Sequence, residues 1–259
     1  MIIRLLREDV VRMRSSRREK GKTKEKNKVS NLKDLIKLCN TSDDFKSDVY
    51  QTQVPQSLWV DFFQPLVDTD VLHKDILKSL ELQPHFTLED IQRAVPIEDF
   101  LITSDASKAK EKLMNGFVMI RLNEDDEACI LLSAESKQQR QISFPEVEFS
   151  VVGPKEAFVE SLSTNLNLIR KRIPTPDLKI KELIVGKLSK TKVAVVSIDG
   201  ITNEENRNTV IQRIQAIDFD QIIDSSYITQ MISDNQRSPF PQLLDTERPD
   251  RVAAVLAEG

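Results

Sequence analysis

Strand-like and helix-like segments alternate along this chain of 259 residues. Runs rich in β-branched and aromatic residues, such as 58–63 and 117–122, are typical of strands, whereas apolar residues three and four positions apart, as in 32–39, are typical of helices. An all-helical bundle has no place for the strand-like runs. We therefore predict an α/β fold with two subdomains, each a small mixed β-sheet with flanking helices.

The first subdomain is predicted over residues 30–133, after a basic tail at 1–29 that is disordered or helical. Its predicted elements are a helix capped at Ser30–Asn31, strands over 49–53 and 58–63, helices over 71–80 and from Thr87, an extended segment over 95–103, a helix that ends at Gly116, and a hairpin over 117–132.

The alternating segment 141–152 is interrupted by Pro145, which predicts an edge strand or an extended connector, and we place a connector at 134–153. The second subdomain is predicted over 154–259. Its predicted elements are a long helix that starts at Gly153–Pro154 and includes Phe158, strands over 178–186 and 193–198, and helices capped by Asn203, Ser225–Ser226 and Thr246.

A Thr-to-Gly spacing of thirteen positions occurs twice, from Thr103 to Gly116 and from Thr246 to Gly259, with a leucine three residues before each glycine. The first copy is followed by a hairpin pattern. If the two copies form a repeat, a strand is expected after Gly259, so that the second subdomain is truncated before it. The alternative is two unrelated capped helices.

Charge is distributed unevenly. Residues 1–28 contain eleven Lys or Arg and four acidic residues, so the tail carries +7 and the remainder −11 of the net −4. Three interpretations are open: a solubilising arm, proximity to anionic lipid headgroups, or nucleic-acid binding. The acidic remainder argues against nucleic acid, because such proteins usually carry basic residues and aromatic side chains in their folded part.

Signatures of catalysis are missing from the sequence. The six glycines do not cluster, and Gly186–Lys187 lacks the spacing of a phosphate-binding loop. Neither His73 nor His85 has a cysteine at a ligand-like spacing, and Cys39 and Cys129 have the apolar neighbours of buried thiols. We therefore expect no enzyme activity, no cofactor, no metal and no disulfide.

A candidate ligand site lies after the second strand of the second subdomain. Asp199 and Gly200 lead into a helix whose first turn contains Glu204, and Asn235 is the fourth candidate. Ligands of α/β proteins often bind where a strand ends and a helix begins. The negative charge there would suit an ammonium group, as in an amino acid. The alternative is that these acids only stabilise the helix dipole and a turn.

A candidate partner-binding segment follows. Its predicted contact residues are Ser238, Phe240, Gln242, Glu247, Arg248 and Asp250. Two prolines restrict Phe240, so that it either packs at a corner of the core or presents an aromatic anchor to a partner. The charged residues form either a local ion-pair network or a contact to another subunit.

Four motifs resemble one family: Gly153-Pro-Lys-Glu-Ala-Phe158, Asn165-Leu-Asn-Leu-Ile-Arg-Lys-Arg172, Ser238-Pro-Phe-Pro-Gln242 and Thr246-Glu-Arg-Pro-Asp250. They are similar to the A subunit of the spore nutrient-germinant receptors, the GerA type. The resemblance implies a soluble N-terminal domain followed by a membrane region, located in the spore inner membrane on the spore-core side. It also implies B and C subunits as partners and an amino-acid, sugar or nucleoside germinant.

The function that the resemblance implies is nutrient sensing and signal transmission that triggers germination. We hypothesise that the two subdomains pivot about the connector. The alternatives are direct nutrient binding, as in two-lobed substrate-binding proteins, a scaffold for receptor assembly, and a hydrolase or transferase without recognisable signatures.

Overall fold

The computed structural model describes residues 2–3, 30–53, 56–81, 84, 86–136, 148, 156–235 and 242–259. Contacts divide the chain into two compact units. The N-terminal unit comprises 29–139 and 173–179, and the C-terminal unit comprises 1–28, 140–172 and 180–259. Most of the predicted connector 134–153 lies outside the described residues, and the predicted subdomain limits stay a prediction. In the described part of the chain, no helix is long and apolar enough to cross a bilayer.

The N-terminal unit is built on a five-stranded sheet whose spatial order is β2-β3-β5-β6-β4. Its strands are β2 (Phe45–Gln51), β3 (Ser57–Phe63), β4 (Phe100–Thr103), β5 (Phe117–Arg121) and β6 (Cys129–Ser133). Each pair is antiparallel, and the register places Val60 opposite Ile120 and Ile120 opposite Ile130. Of the three interior strands, β5 and β6 are the most buried.

Helices cover both faces of this sheet. On one face, α1 (Leu32–Cys39) and α3 (Ala106–Met114) pack with Met119 and Leu131. On the other, a π-helix (Val71–Leu77), a 3-10 turn (Lys78–Leu80) and α2 (Leu88–Ala94) pack with Ile120 and Ile130. Because successive strand residues point to opposite faces, covering both faces requires the continuous apolar runs seen in β5 and β6.

The predicted α/β class is confirmed, with three differences of detail in this unit. The five-stranded sheet is antiparallel throughout rather than mixed: hairpins connect β2 to β3 and β5 to β6, and the pairs β3–β5 and β4–β6 are also antiparallel. Strand β2 begins at Phe45, before the predicted Val49, and packs Phe45 against Phe63 with ring centroids 4.9 Å apart. The predicted helix 71–80 is a π-helix followed by a 3-10 turn.

The C-terminal unit contains a two-stranded sheet of β7 (Leu178–Val185), except for the first two residues of that strand, and β8 (Thr191–Ile198). Its helices are α4 (Leu162–Arg172), α5 (Glu204–Gln215), α6 (Ser225–Ile232) and α7 (Pro249–Glu258). A short strand β9 (Leu244–Asp245) pairs with β1 (Ile2–Ile3). The apolar cluster of this unit contains Val185, Ile214, Ile222, Ile228, Ile232 and Leu243.

Three helix starts differ from prediction here. Helix α4 begins at Leu162 rather than at Gly153–Pro154, because the Asn165 side chain bonds to both the N–H and the carbonyl of Val159 and holds residue 159 outside the helix. Asp224 caps α6 in place of the predicted Ser225–Ser226. The backbone of Arg248, not the predicted Thr246, occupies the cap position of α7.

Candidate partner-binding surface and an apolar groove

Within the predicted partner-binding segment, Gln242 is anchored by its side chain. Its Oε1 accepts hydrogen bonds from the backbone N–H groups of Asp234, at 2.8 Å, and Asn235, at 3.3 Å. The contact links Gln242 to the residues that follow α6, and it joins a predicted partner-binding residue to a predicted ligand-binding one. Ser238 and Phe240 lie outside the described residues.

Arg248 and Asp250 form a two-pronged ion pair at the start of α7. Arg248 Nε donates to Asp250 Oδ1 at 3.1 Å, and Arg248 Nη2 donates to Oδ2 at 2.6 Å. The hydrogen bonds from Arg248 hold the pKa of Asp250 below its usual value, although partial burial opposes them. The two side chains remain 19% and 23% exposed, so that the pair presents a fixed pattern of opposite charges to solvent.

Glu148 adds a third charge to this surface. Its Oε2 accepts from Thr246 Oγ1 at 2.8 Å, and its Oε1 accepts from Arg251 Nη1 at 2.7 Å. Thr246 Oγ1 also accepts from the backbone N–H of Arg248 at 3.2 Å. We call Glu148, Thr246, Arg248, Asp250 and Arg251 the charged cluster.

Glu247 is held in place by its backbone. Its carbonyl accepts from the N–H of Phe158 at 2.8 Å, while its side chain is partly exposed beside the charged cluster. Of the six predicted partner-binding residues, the structure brings Glu247, Arg248 and Asp250 together because they share one turn. Sequence reasoning missed Glu148 and Arg251, since no local pattern connects residues 103 positions apart.

The predicted ligand site is a turn that closes before α5. Gly200 adopts a left-handed conformation with φ +77°, and the Asn203 side chain caps α5 by accepting from the N–H groups of Glu205 and Asn206. Asp199 lies 3.6 Å from Arg207 Nη1. This ion pair offsets the negative charge that would attract an ammonium group.

An apolar groove of about 630 Å³ lies beside that turn, within the C-terminal unit. Its floor is β8, from Thr191 to Ser197, and apolar side chains of α5, α6 and α7 form its walls. Polar and charged side chains also line it, among them Glu160, Asn206 and Arg207. Within the described part of the chain, none of the predicted ligand-binding residues Asp199, Gly200, Glu204 and Asn235 lines the groove.

A buried ion pair in the N-terminal unit was also missed. Arg121 Nε donates to Asp61 Oδ2 at 3.0 Å, and the side chains are 3% and 0% exposed. Ser47 Oγ donates to Asp61 Oδ1, and Arg121 Nη1 donates to the Glu124 carbonyl. Burial raises the pKa of Asp61, against the opposing effect of Arg121. The sequence signal that could have revealed this pair was a single charged residue in each of two otherwise apolar strands.

Comparison with known proteins shows which sequences this chain resembles. Residues 31–259 match the family model described as the Bacillus/Clostridium GerA spore germination protein. The spore germination protein GerQA of Bacillus cereus is 41% identical over 233 residues, which cover 90% of this chain and 46% of GerQA. GerIA of Bacillus cereus is 34% identical, covering 91% of this chain and 35% of GerIA. This chain therefore spans less than half the length of both relatives.

One solved structure extends the likeness to three dimensions. The N-terminal domain of the A subunit of the Bacillus megaterium spore germinant receptor GerK3 superimposes with a TM-score of 0.61 and 27% identity. The match covers 87% of this chain and 85% of that domain. The resemblance inferred from four short motifs is confirmed: this chain belongs to the GerA family of spore germination proteins.

Proposed function

We propose that this chain takes part in nutrient sensing and in transmitting the signal that triggers germination, as the N-terminal part of a germinant-receptor A subunit. The observation that carries the proposal is its likeness to the N-terminal domain of the GerK3 A subunit over most of its length. The family consists of spore germination proteins rather than a known enzyme class, and our proposal is accordingly a binding and coupling role.

In this proposal the partners are the B and C subunits of the receptor. The full-length protein is embedded in the spore inner membrane, with this part on the spore-core side. The proposed contact surface is the charged cluster together with Glu247 and the segment that contains Ser238, Phe240 and Gln242. A preformed pair such as Arg248–Asp250 suits recognition, because little conformational freedom is lost when a partner binds it.

A charge swap tests recognition by a partner while keeping the local ion pair. In the full-length A subunit, Arg248→Asp combined with Asp250→Arg keeps an ion pair but reverses its polarity. We expect several-fold less B and C subunit to co-purify from spores and several-fold slower nutrient-triggered germination. Like charges placed opposite a fixed partner disfavour the wrong complex. Subunit recovery and germination kinetics give the two readouts.

A matched control is available in the same unit. Lys187 and Asp218 form an exposed ion pair, and the same swap there should leave assembly and germination unchanged. Thermal unfolding must be similar for both swapped proteins. Normal assembly and germination with the Arg248–Asp250 swap would contradict the proposed contact surface.

Direct nutrient binding remains the alternative function, centred on Asp199, Gly200, Glu204 and Asn235. The Asp199–Arg207 ion pair weakens the electrostatic argument for an amino-acid ammonium group at this turn. Calorimetric titration of the chain with amino-acid, sugar and nucleoside germinants tests it. Saturable heat that disappears in Glu204→Gln would favour direct binding over coupling.

A further inference from the structure

Strand β8 lies along a groove that reaches both of its faces. Seven consecutive residues of β8, from Thr191 to Ser197, line the groove. Val193 and Val195 contact the apolar cluster of α5 and α6, so the intervening Ala194 and Val196 point to the opposite face. Because residues of both sets line the groove, we place it along the edge of the strand. Among the described residues, the strand paired with β8 is β7, on one edge.

The two units repeat the same order of elements. The N-terminal unit contains a helix (α1), a hairpin (β2–β3), further helices, β4, α3 and then the hairpin β5–β6. The C-terminal unit contains a helix (α4), strands β7–β8, helices α5 and α6, β9 and then α7. In this comparison β8 corresponds to β3, and β3 has strands on both edges.

Local geometry supports the correspondence at the last helix of each unit. Thr103 Oγ1 accepts from the N–H of Asp105 at 3.0 Å, as Thr246 Oγ1 accepts from that of Arg248 at 3.2 Å. Gly116 and Gly259 both follow their helices with positive φ, +80° and +108°. The equivalent leucines, at 113 and 256, are both buried. The thirteen-residue spacing in the sequence therefore coincides with a shared three-dimensional arrangement.

We propose that the residues that follow Gly259 in the full-length protein form a strand that pairs with the open edge of β8 and fills the groove. In the N-terminal unit, the chain passes from Gly116 directly into β5, which pairs with β3. Gly259 itself lines the groove, so a strand starting there begins beside its pairing partner. The apolar walls of the groove suit an apolar strand buried on both faces.

The occupant is the protein's own chain rather than a partner. GerQA and GerIA are more than twice as long as the regions they share with this chain, so such relatives have residues available for this strand. A segment tethered at Gly259 also has a high effective concentration at the groove. Strand β9 already has a partner in β1. We therefore propose one new strand, the one that pairs with β8, and no second strand that would pair with β9.

Disulfide trapping in the full-length A subunit tests the proposal. The register of β3 and β5 places Asp61, Val60 and Trp59 opposite the third, fourth and fifth residues after Gly116. Because β8 corresponds to β3, we expect the same stretch after Gly259 to lie opposite the middle of β8. Val195→Cys, in the middle of β8, should therefore be combined with cysteine at the third, fourth or fifth residue after Gly259. We expect one of the three variants to form a disulfide within one chain, seen by mass spectrometry after digestion. Leu188→Cys, in the β7–β8 turn, is the control that should not form it.

Hydrogen exchange supplies a second measurement that needs no substitution. In the purified full-length A subunit, the amides of residues 191–198 that point away from β7 should exchange at least about tenfold more slowly than in the 259-residue chain, because ladder hydrogen bonds protect them. An intrachain disulfide or this slowing supports the proposal. Equal exchange without a disulfide would overturn it, and so would a disulfide that joins two different chains.

Discussion

Asp61 and Arg121 form an ion pair inside an apolar sheet, where each charge depends on the other. We predict that Arg121→Met lowers the free energy of unfolding by about 3–5 kcal/mol, because it leaves Asp61 buried without its cation. Denaturant unfolding followed by fluorescence of Trp59, the neighbour of Arg121 in the register, measures the loss.

The double variant Asp61→Leu with Arg121→Met is the control for that prediction. Removing both charges should recover most of the lost stability, since an apolar pair of similar volume is often tolerated at such sites. At the surface, Asp125→Asn breaks the exposed pair with Lys33 and should change stability little. A single Arg121→Met loss as small as that of Asp125→Asn would contradict the structure.

Tyr50 donates a hydrogen bond to Glu81 Oε1 at 2.7 Å, and burial, followed by this contact, raises its pKa to about 12. The contribution of Tyr50 to stability is therefore fully present below the ordinary tyrosine pKa of about 10. It is lost as the pH rises through about 12. Phenolate absorbance in Tyr227→Phe, which leaves Tyr50 as the single tyrosine, measures this titration.

Glu81→Gln tests the cause of the Tyr50 shift. It removes the carboxylate charge but keeps an oxygen acceptor, so the pKa of Tyr50 should fall only partway toward its ordinary value. An unchanged titration would mean that Glu81 contributes nothing, and a complete return would mean that burial contributes nothing.

Single residues were predictable from sequence where their environment was local. The apolar neighbours of Cys39 and Cys129 indicated burial, and both are buried thiols. The partnership of Asp61 with Arg121 was not predictable, because strand register brings together residues 60 positions apart. Glu148 escaped notice because its partners Thr246 and Arg251 lie 98 and 103 positions away in the sequence.

At the scale of elements, Gly116 lies in a close-packed connection between helix α3 and strand β5. A Cβ there would lie 2.7 Å from the Leu66 carbonyl oxygen, whereas a Cβ at Gly200 would meet nothing within 4 Å. Both glycines have positive φ. We predict that Gly200→Ala costs about 1 kcal/mol of backbone strain, and that Gly116→Ala costs more because the clash adds to that strain.

Denaturant midpoints followed by circular dichroism compare the two alanine variants. Gly116→Ala should move its midpoint to a clearly lower denaturant concentration than Gly200→Ala does. Equal shifts would show that backbone conformation alone determines the cost, and that the chain at Leu66 moves aside.

Element types followed from sequence more reliably than element ends. Period and composition identified α1, β3, β5 and β6, where local preference and burial agree. The predicted start of α4 was wrong because the side chain of Asn165, within the predicted helix, donates a hydrogen bond to the carbonyl of Val159. Strand β9, with two residues, is too short to leave a pattern.

At the scale of the whole molecule, charge separates the tail from the rest of the chain. Residues 1–28 carry +7 against −11 elsewhere. We predict that the chain binds vesicles containing anionic lipid at low salt and releases them as salt rises, since each basic residue near such a surface contributes about 1 kcal/mol. Cosedimentation with anionic and neutral vesicles measures the difference.

A tail variant with its lysines and arginines replaced by glutamine is the control for vesicle binding. It should remain in the supernatant with both vesicle types. Equal sedimentation of the two proteins would reject lipid proximity and leave the solubilising arm, whereas salt-sensitive binding of RNA but not of vesicles would favour the nucleic-acid interpretation.

Both native thiols are buried, and burial raises the pKa of Cys129 to about 12. A thiol reacts as its thiolate, so Cys129 stays almost inert toward maleimides near neutral pH, and Cys39 is shielded by its zero exposure. A fluorophore can therefore be placed at one introduced surface cysteine while the native pair is kept. Changes in its emission would then report movement at a chosen point of an otherwise unaltered chain.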